Sequence, residues 1–217
     1  MSWKHSASHA QYAAGTGRLN VELGAPLRIH VESDDRKPEH SFADLMLFPK
    51  EAMAVDASPV SVHDAFVRQE DLIASYPQEY PWPFGWQVDF RFHASPFSDL
   101  HLMELWLSVQ TSQWECNPQL WWRPGHSSAA WQDAAPSIVS PEGHAALLIH
   151  PLDRIDCKVV CAEDRAVEHI EVFGGQMEKG VIRRARFLLA WSRSRIPTEH
   201  LSRLYDLFAD SPLPLTA

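Results

Sequence analysis

One stretch, 167–191, constrains this chain more than any other: VEHIEVF, then GGQMEKG, then VIRRARFLLAW. Two apolar runs joined by a Gly-rich, charged connection read as a long β-hairpin, because Gly174, Gly175 and Gly180 permit the positive φ that tight turns need. Along the second arm, Val181, Ala185, Phe187, Leu189 and Trp191 share one face, while Ile182, Arg184, Arg186, Leu188 and Ala190 share the other. Neither face is fully polar. Such an arm belongs in the centre of a large sheet.

Much of the remaining chain alternates in the same way. Leu19, Val21 and Leu23, a break at Gly24-Ala25-Pro26, then Leu27, Ile29 and Val31 read as strand, turn and strand. AFVRQEDLIASYP reads as a hairpin around Gln69, Glu70 and Asp71. In WQVDFRFH, Trp86, Val88, Phe90 and Phe92 point one way and Gln87, Asp89, Arg91 and His93 the other. The proline-rich PQEYPWPFGW is an extended crossing, 42–54 is apolar with a break at Pro49, and 120–123, AALLIH and IDCKVVCAE add strands. After Pro197, the i, i+3, i+4, i+7 spacing of Leu201, Leu204, Tyr205 and Phe208 predicts an amphipathic helix ending near Asp210. The expected fold is a mainly-β antiparallel sandwich, two packed sheets of about ten strands with one C-terminal helix. It is expected to form a single domain, 1–217, whose small, polar segment 1–17 is a mobile terminus.

Composition narrows the partners. A formal net charge of −9 argues against nucleic acid and anionic membranes, because both reward clustered Lys and Arg. Arg183, Arg184 and Arg186 do not reverse this, since alternating arginines on a strand point to opposite faces. No apolar run reaches signal-peptide or transmembrane length, so a cytoplasmic protein is expected. On a strand, Cys157 and Cys161 stand about 13 Å apart, too far for a bridge. With Cys116 they read as free thiols in a reducing compartment. The charged loop 33–40, with Asp34, Asp35, Glu39 and His40, has no coordination spacing and reads as solvated.

The chain contains no G-x-S-x-G, H-E-x-x-H, phosphate loop or dinucleotide fingerprint, so chemistry has to be sought on strand faces. In LHLMELWLSVQ the alternation slips: Leu100 and Leu102 are in step, then Met103, Leu105, Leu107 and Val109 take over. A slip of this kind is what a β-bulge produces. With His93 opposite His101, a bulge brings Arg91 opposite Glu104 and Asp89 opposite Trp106 on one outward face. Arg91, His93, His101, Glu104 and Trp106 are therefore the candidate ligand-binding residues.

An indole stacks on a pyranose while carboxylates and Arg grip its hydroxyls, so this face suits a carbohydrate or another small polar ligand. A His beside a Glu also suits proton transfer at a sugar carbon, as in an epimerase or lyase. A plain solvated face in an interaction or structural domain is the third possibility, marked by a flat surface or by coverage from the C-terminal helix. Two His and a carboxylate can hold zinc or iron, but His93, His101 and Glu104 do not match the HxH spacing of a cupin-like site. No metal and no cofactor is expected.

Overall fold

The two arms of the 167–191 stretch do not pair with each other; they belong to different sheets. The computed structural model describes residues 2–14, 17–24, 26–33, 41–50, 62, 64–79, 82–125 and 131–212. The chain opens with β1 (Trp3–His5), β2 (His9–Ala14), β3 (Gly17–Glu22), β4 (Leu27–Ser33) and β5 (Ser41–Pro49), then builds β6 (Asp64–Arg68), β7 (Asp71–Tyr76), β8 (Gly85–His93) and β9 (Leu100–Gln110). After β10 (Glu115–Cys116) come β11 (Leu120–Pro124), β12 (Gln132–Ala134), β13 (Ser137–Val139) and β14 (Ala145–Ile149). A 3₁₀ turn at Pro151–Asp156 leads to β15 (Cys157–Cys161), β16 (Val167–Val172), β17 (Met177–Glu178), β18 (Ile182–Ser192) and the helix α1 (Thr198–Ala209).

Eight strands form the first sheet, in the order β1-β2-β3-β4-β5-β11-β16-β15, and eight the second, β12-β13-β14-β18-β9-β8-β7-β6. The small ribbon β10-β17 stands beside them. All the named pairings are antiparallel. The sandwich and its C-terminal helix match the expected class, and among the described residues eighteen strands are named, more than the expected ten. Short strands such as β10, β12 and β17 carry too few residues to show an alternation.

The expected hairpin fails at its connection. Phe173, at φ 64°, turns the chain out of β16, and Gly180, at φ 82°, turns it into β18; the latter is the position where glycine is needed. Between them β17 pairs with β10, and Arg183 donates to the carbonyls of Gly175 (3.2 Å) and Gln176 (2.6 Å), holding the crossing in place. The second arm does lie at the centre of a large sheet, between β14 and β9.

The core fills the space between the sheets. Leu19, Val21, Ile29, Val31, Leu45, Leu47 and Trp122 face Val88, Phe90, Met103, Leu105, Phe187 and Leu189, all buried. Trp122 meets Phe187 edge-on at 5.8 Å between ring centroids. Burial stabilises by about 1.5 to 3 kcal/mol for each such side chain. Within the segment 1–17 expected to be mobile, residues 2–14 are described and include β1 and β2: Trp3 is 7% and Tyr12 5% exposed, and Tyr12 stacks on Phe92 at 3.6 Å. Two buried aromatics outweigh the polar composition around them.

The slip in LHLMELWLSVQ is not a bulge. The register of β8 against β9 runs without a shift from Gly85↔Gln110 to His93↔Leu102. Met103, Leu105, Leu107 and Val109 face the inter-sheet core, whereas Leu100 and Leu102 face outward beneath α1. The helix lays Leu201, Leu204 and Phe208 on Leu100, Leu102, Ala146, Leu148, Leu188 and Ala190. One strand therefore changes pattern because its outer face is covered at one end and open at the other. The acidic loop 34–40 and part of 42–54 lie outside the described residues.

Candidate functional site

The outer face of the second sheet carries successive cross-strand rows beyond the helix. Arg91 lies opposite Glu104, which lies opposite Leu188; Asp89 lies opposite Trp106, which lies opposite Arg186; and Ser75, Gln87, Ser108 and Arg184 form the next row. The alternation of β8 and β18 puts these residues outward, and the β18–β9 pairing brings the arginines of one strand beside the residues of the other.

The first two rows form a sealed charged network. Arg186, 1% exposed, donates through Nη2 to Nδ1 of His150 (2.8 Å) and through both Nε (3.2 Å) and its backbone N (2.9 Å) to Asp153 Oδ2. Glu104, 6% exposed, meets His93 Nε2 at 2.8 Å. Arg91 reaches Asp71 at 3.3 Å and Asp89 at 3.8 Å. Trp106 has the guanidinium of Arg91 at 4.8 Å and that of Arg186 at 5.6 Å from its ring centroid. Burial raises the Asp71 carboxyl above the usual range, with the Arg91 charge opposing it.

Four of the five expected residues, Arg91, His93, Glu104 and Trp106, come together here. Arg91 does oppose Glu104, and Asp89 does oppose Trp106, but His93 lies opposite Leu102 rather than His101. His101 has the inward parity and stands 5.6 Å from Trp191; burial lowers its pKa, with Asp99 opposing. At 7% exposure, with two guanidiniums beside it, Trp106 offers no open ring for a sugar to stack on. Of this set only His93, with 47% of its side chain exposed, stands well into solvent.

Beside the network the sheet surface opens into a recess of about 290 Å³. Ser75, Gln87, Ser108 and Arg184 line it, with Gln110 and Ile182. Gln87 is oriented from below, accepting from Ser75 Oγ (3.2 Å) and donating to Asp89 Oδ1 (2.7 Å). The side chain of Arg184 is exposed and has no hydrogen-bond or ion-pair partner among the described residues. Gly85 closes one side: a Cβ there would come within 3.2 Å of the Tyr76 carbonyl, so a side chain would push the β7 and β8 ends apart.

The chain matches no known family model and no curated protein.

Parity alone puts Gln87 and Arg184 on outward faces. What sequence reading missed is their adjacency, which depends on β18 lying next to β9, a pairing encoded by no local pattern. Among the described residues no group of three or more His, Cys, Asp or Glu is placed to hold a metal ion, and no helix is long and apolar enough to cross a membrane.

Proposed function

We propose that this protein binds a small polar ligand of the carbohydrate class that carries an anionic group, in the recess on the second sheet. The observation behind this reading is the unpartnered guanidinium of Arg184 within a row of neutral hydrogen-bonding side chains, Ser75, Gln87 and Ser108. Hydroxyls and amides both give and accept, which matches sugar hydroxyls, and a guanidinium takes a carboxylate through two parallel bonds. A volume of about 290 Å³ is at the small end for ligand sites, the size of one sugar ring rather than a chain. Arg91, Glu104 and Trp106 then act from behind, as the rigid charged bed on which the Gln87–Asp89 contact rests.

Calorimetric titration with matched neutral and acidic monosaccharides tests the reading. Acidic sugars should bind, and Arg184→Ala should weaken them about tenfold or more, the worth of a hydrogen bond to a charged group. Equal affinity of native protein and Arg184→Ala, with Gln87→Ala also unaffected, would place the ligand elsewhere.

Catalysis is a second reading, favoured by the His93–Glu104 pair. A buried carboxylate 2.8 Å from an exposed imidazole fixes the ring's orientation, the pairing a general base needs. Conversion of a bound sugar that disappears in His93→Gln while binding persists would establish it.

A further inference from the structure

The outer face of the first sheet carries a larger groove, of about 640 Å³, on the opposite side of the sandwich. Through its floor runs a row of polar side chains crossing neighbouring strands: Lys4 opposite Gln11, Gln11 opposite Asn20 and Asn20 opposite His30, with Asp44 opposite His30 just beyond. Gln11 and Asn20 are held in position by side-chain hydrogen bonds. Gln11 Nε2 donates to Asn20 Oδ1 (2.8 Å), Asn20 Nδ2 donates to Glu32 Oε2 (3.0 Å), and His30 sits between Asp44 (3.3 Å) and Glu22 (3.6 Å). Beneath them Ala10, Tyr12, Leu19, Val21, Ile29 and Val31 are buried in the core, so the backing is stiff. Gln11, Asn20 and His30 are half-buried, and Gln11 and Asn20 each keep amide donor and acceptor capacity beyond the bonds just given.

We propose that this groove is a separate binding site for a short neutral oligosaccharide lying across strands β1 to β4. Three features choose the ligand class. The groove crosses four strands, and three interstrand spacings of about 4.8 Å make a track roughly 14 Å long, suited to more than one sugar unit. Planar amide, carboxylate and imidazole groups at half-burial offer paired donors and acceptors to neighbouring hydroxyls, with much of their ordering cost already met by the fold. The carboxylates Glu22, Glu32 and Asp44 line or adjoin the row, which disfavours an anionic chain such as nucleic acid or an acidic polysaccharide. Glu32 accepts from Asn20 and Glu22 stands 3.8 Å from Arg28, so part of their charge is taken up within the sheet, which weakens them as a trap for a cationic peptide. This site does not depend on the recess around Arg184.

The test uses the full chain and a ladder of neutral β-linked glucose, xylose and N-acetylglucosamine oligosaccharides, two to six units long, with an oligolysine of similar length as the competing cationic probe. Calorimetry should show affinity for at least one neutral series rising with chain length and levelling once the track is filled. The double variant Gln11→Ala/Asn20→Ala, with an unchanged thermal midpoint, should lose about tenfold, while Arg184→Ala binds as the native protein does. Backbone amide shifts should concentrate in β2, β3 and β4. No binding by any of the three series at millimolar concentration, native affinity in the double variant, or preference for oligolysine would each overturn the proposal. Failure of the acidic monosaccharides at the recess would leave it standing.

Discussion

Arg186 donates a hydrogen bond of 2.8 Å to Nδ1 of His150, and the backbone N–H of Leu152 donates to the same nitrogen at 3.2 Å. A ring nitrogen that accepts twice carries no proton, so His150 is held neutral with its hydrogen on Nε2. Burial, then the Arg186 charge, lowers its pKa, with Asp153 and Glu104 opposing. Below the ordinary histidine range, near pH 6.5, the unfolded chain binds a proton that the folded one refuses. Stability from this residue should therefore be level above that pH and fall as the pH drops below it. Thermal midpoints from pH 8 to 5 should show the native protein losing ground relative to His150→Asn, and parallel curves would refute the assignment.

Arg186→Met should destabilise the fold by about 3 kcal/mol, because Asp153 and His150 lose the partner that justifies their burial. Urea unfolding with an unchanged slope is the measurement. Arg184→Met, two residues away in solvent, should change stability by less than about 0.5 kcal/mol.

The helix is expected to be integral to the fold. Leu204, 2% exposed, lies in the cluster that packs α1 onto the second sheet, and Leu204→Ala should cost about 3 kcal/mol. Truncation after Arg195 uncovers Leu100, Leu102, Leu148 and Leu188 together and should lower the thermal midpoint sharply. An unchanged midpoint would make the helix dispensable.

All three cysteines are free. Thiol titration of denatured, unreduced protein should count every one of them. In the folded state Cys157 should react slowly, since burial and the neighbouring Asp153 and Asp156 push its thiol well above the ordinary range and the thiolate is the reactive form.

Local patterns carried the sandwich class, the strand pair β3–β4, the hairpin β6–β7 and the helix, because each is written as periodicity within some twenty residues. Pairing between distant strands was not legible. VEHIEVF and VIRRARFLLAW look like partners by spacing and apolar content, and nothing in either states that Phe173 turns the first toward one sheet while Gly180 turns the second toward the other. The outward parity of Arg91, Glu104 and Trp106 was readable, but their burial was not: it arises from Arg186, Asp153 and His150, brought in by β18, the 3₁₀ turn and β14. The same absent information turned two-sided coverage of β9 into an apparent bulge.

Arg184 and Arg186 lie about 7 Å apart along one face of one strand, yet one is in solvent and the other is sealed. The outer face of the second sheet is thus a dielectric boundary. Two unit charges at that distance interact by about 0.6 kcal/mol through water and about 2.4 kcal/mol at an effective constant near 20. An anion captured at Arg184, as proposed above, would act on Arg186 and His150 through the protein side of the boundary and favour a proton on the imidazole. The proposed ligand capture on the open half of the sheet and the acid sensitivity of the covered half would thereby be electrostatically coupled.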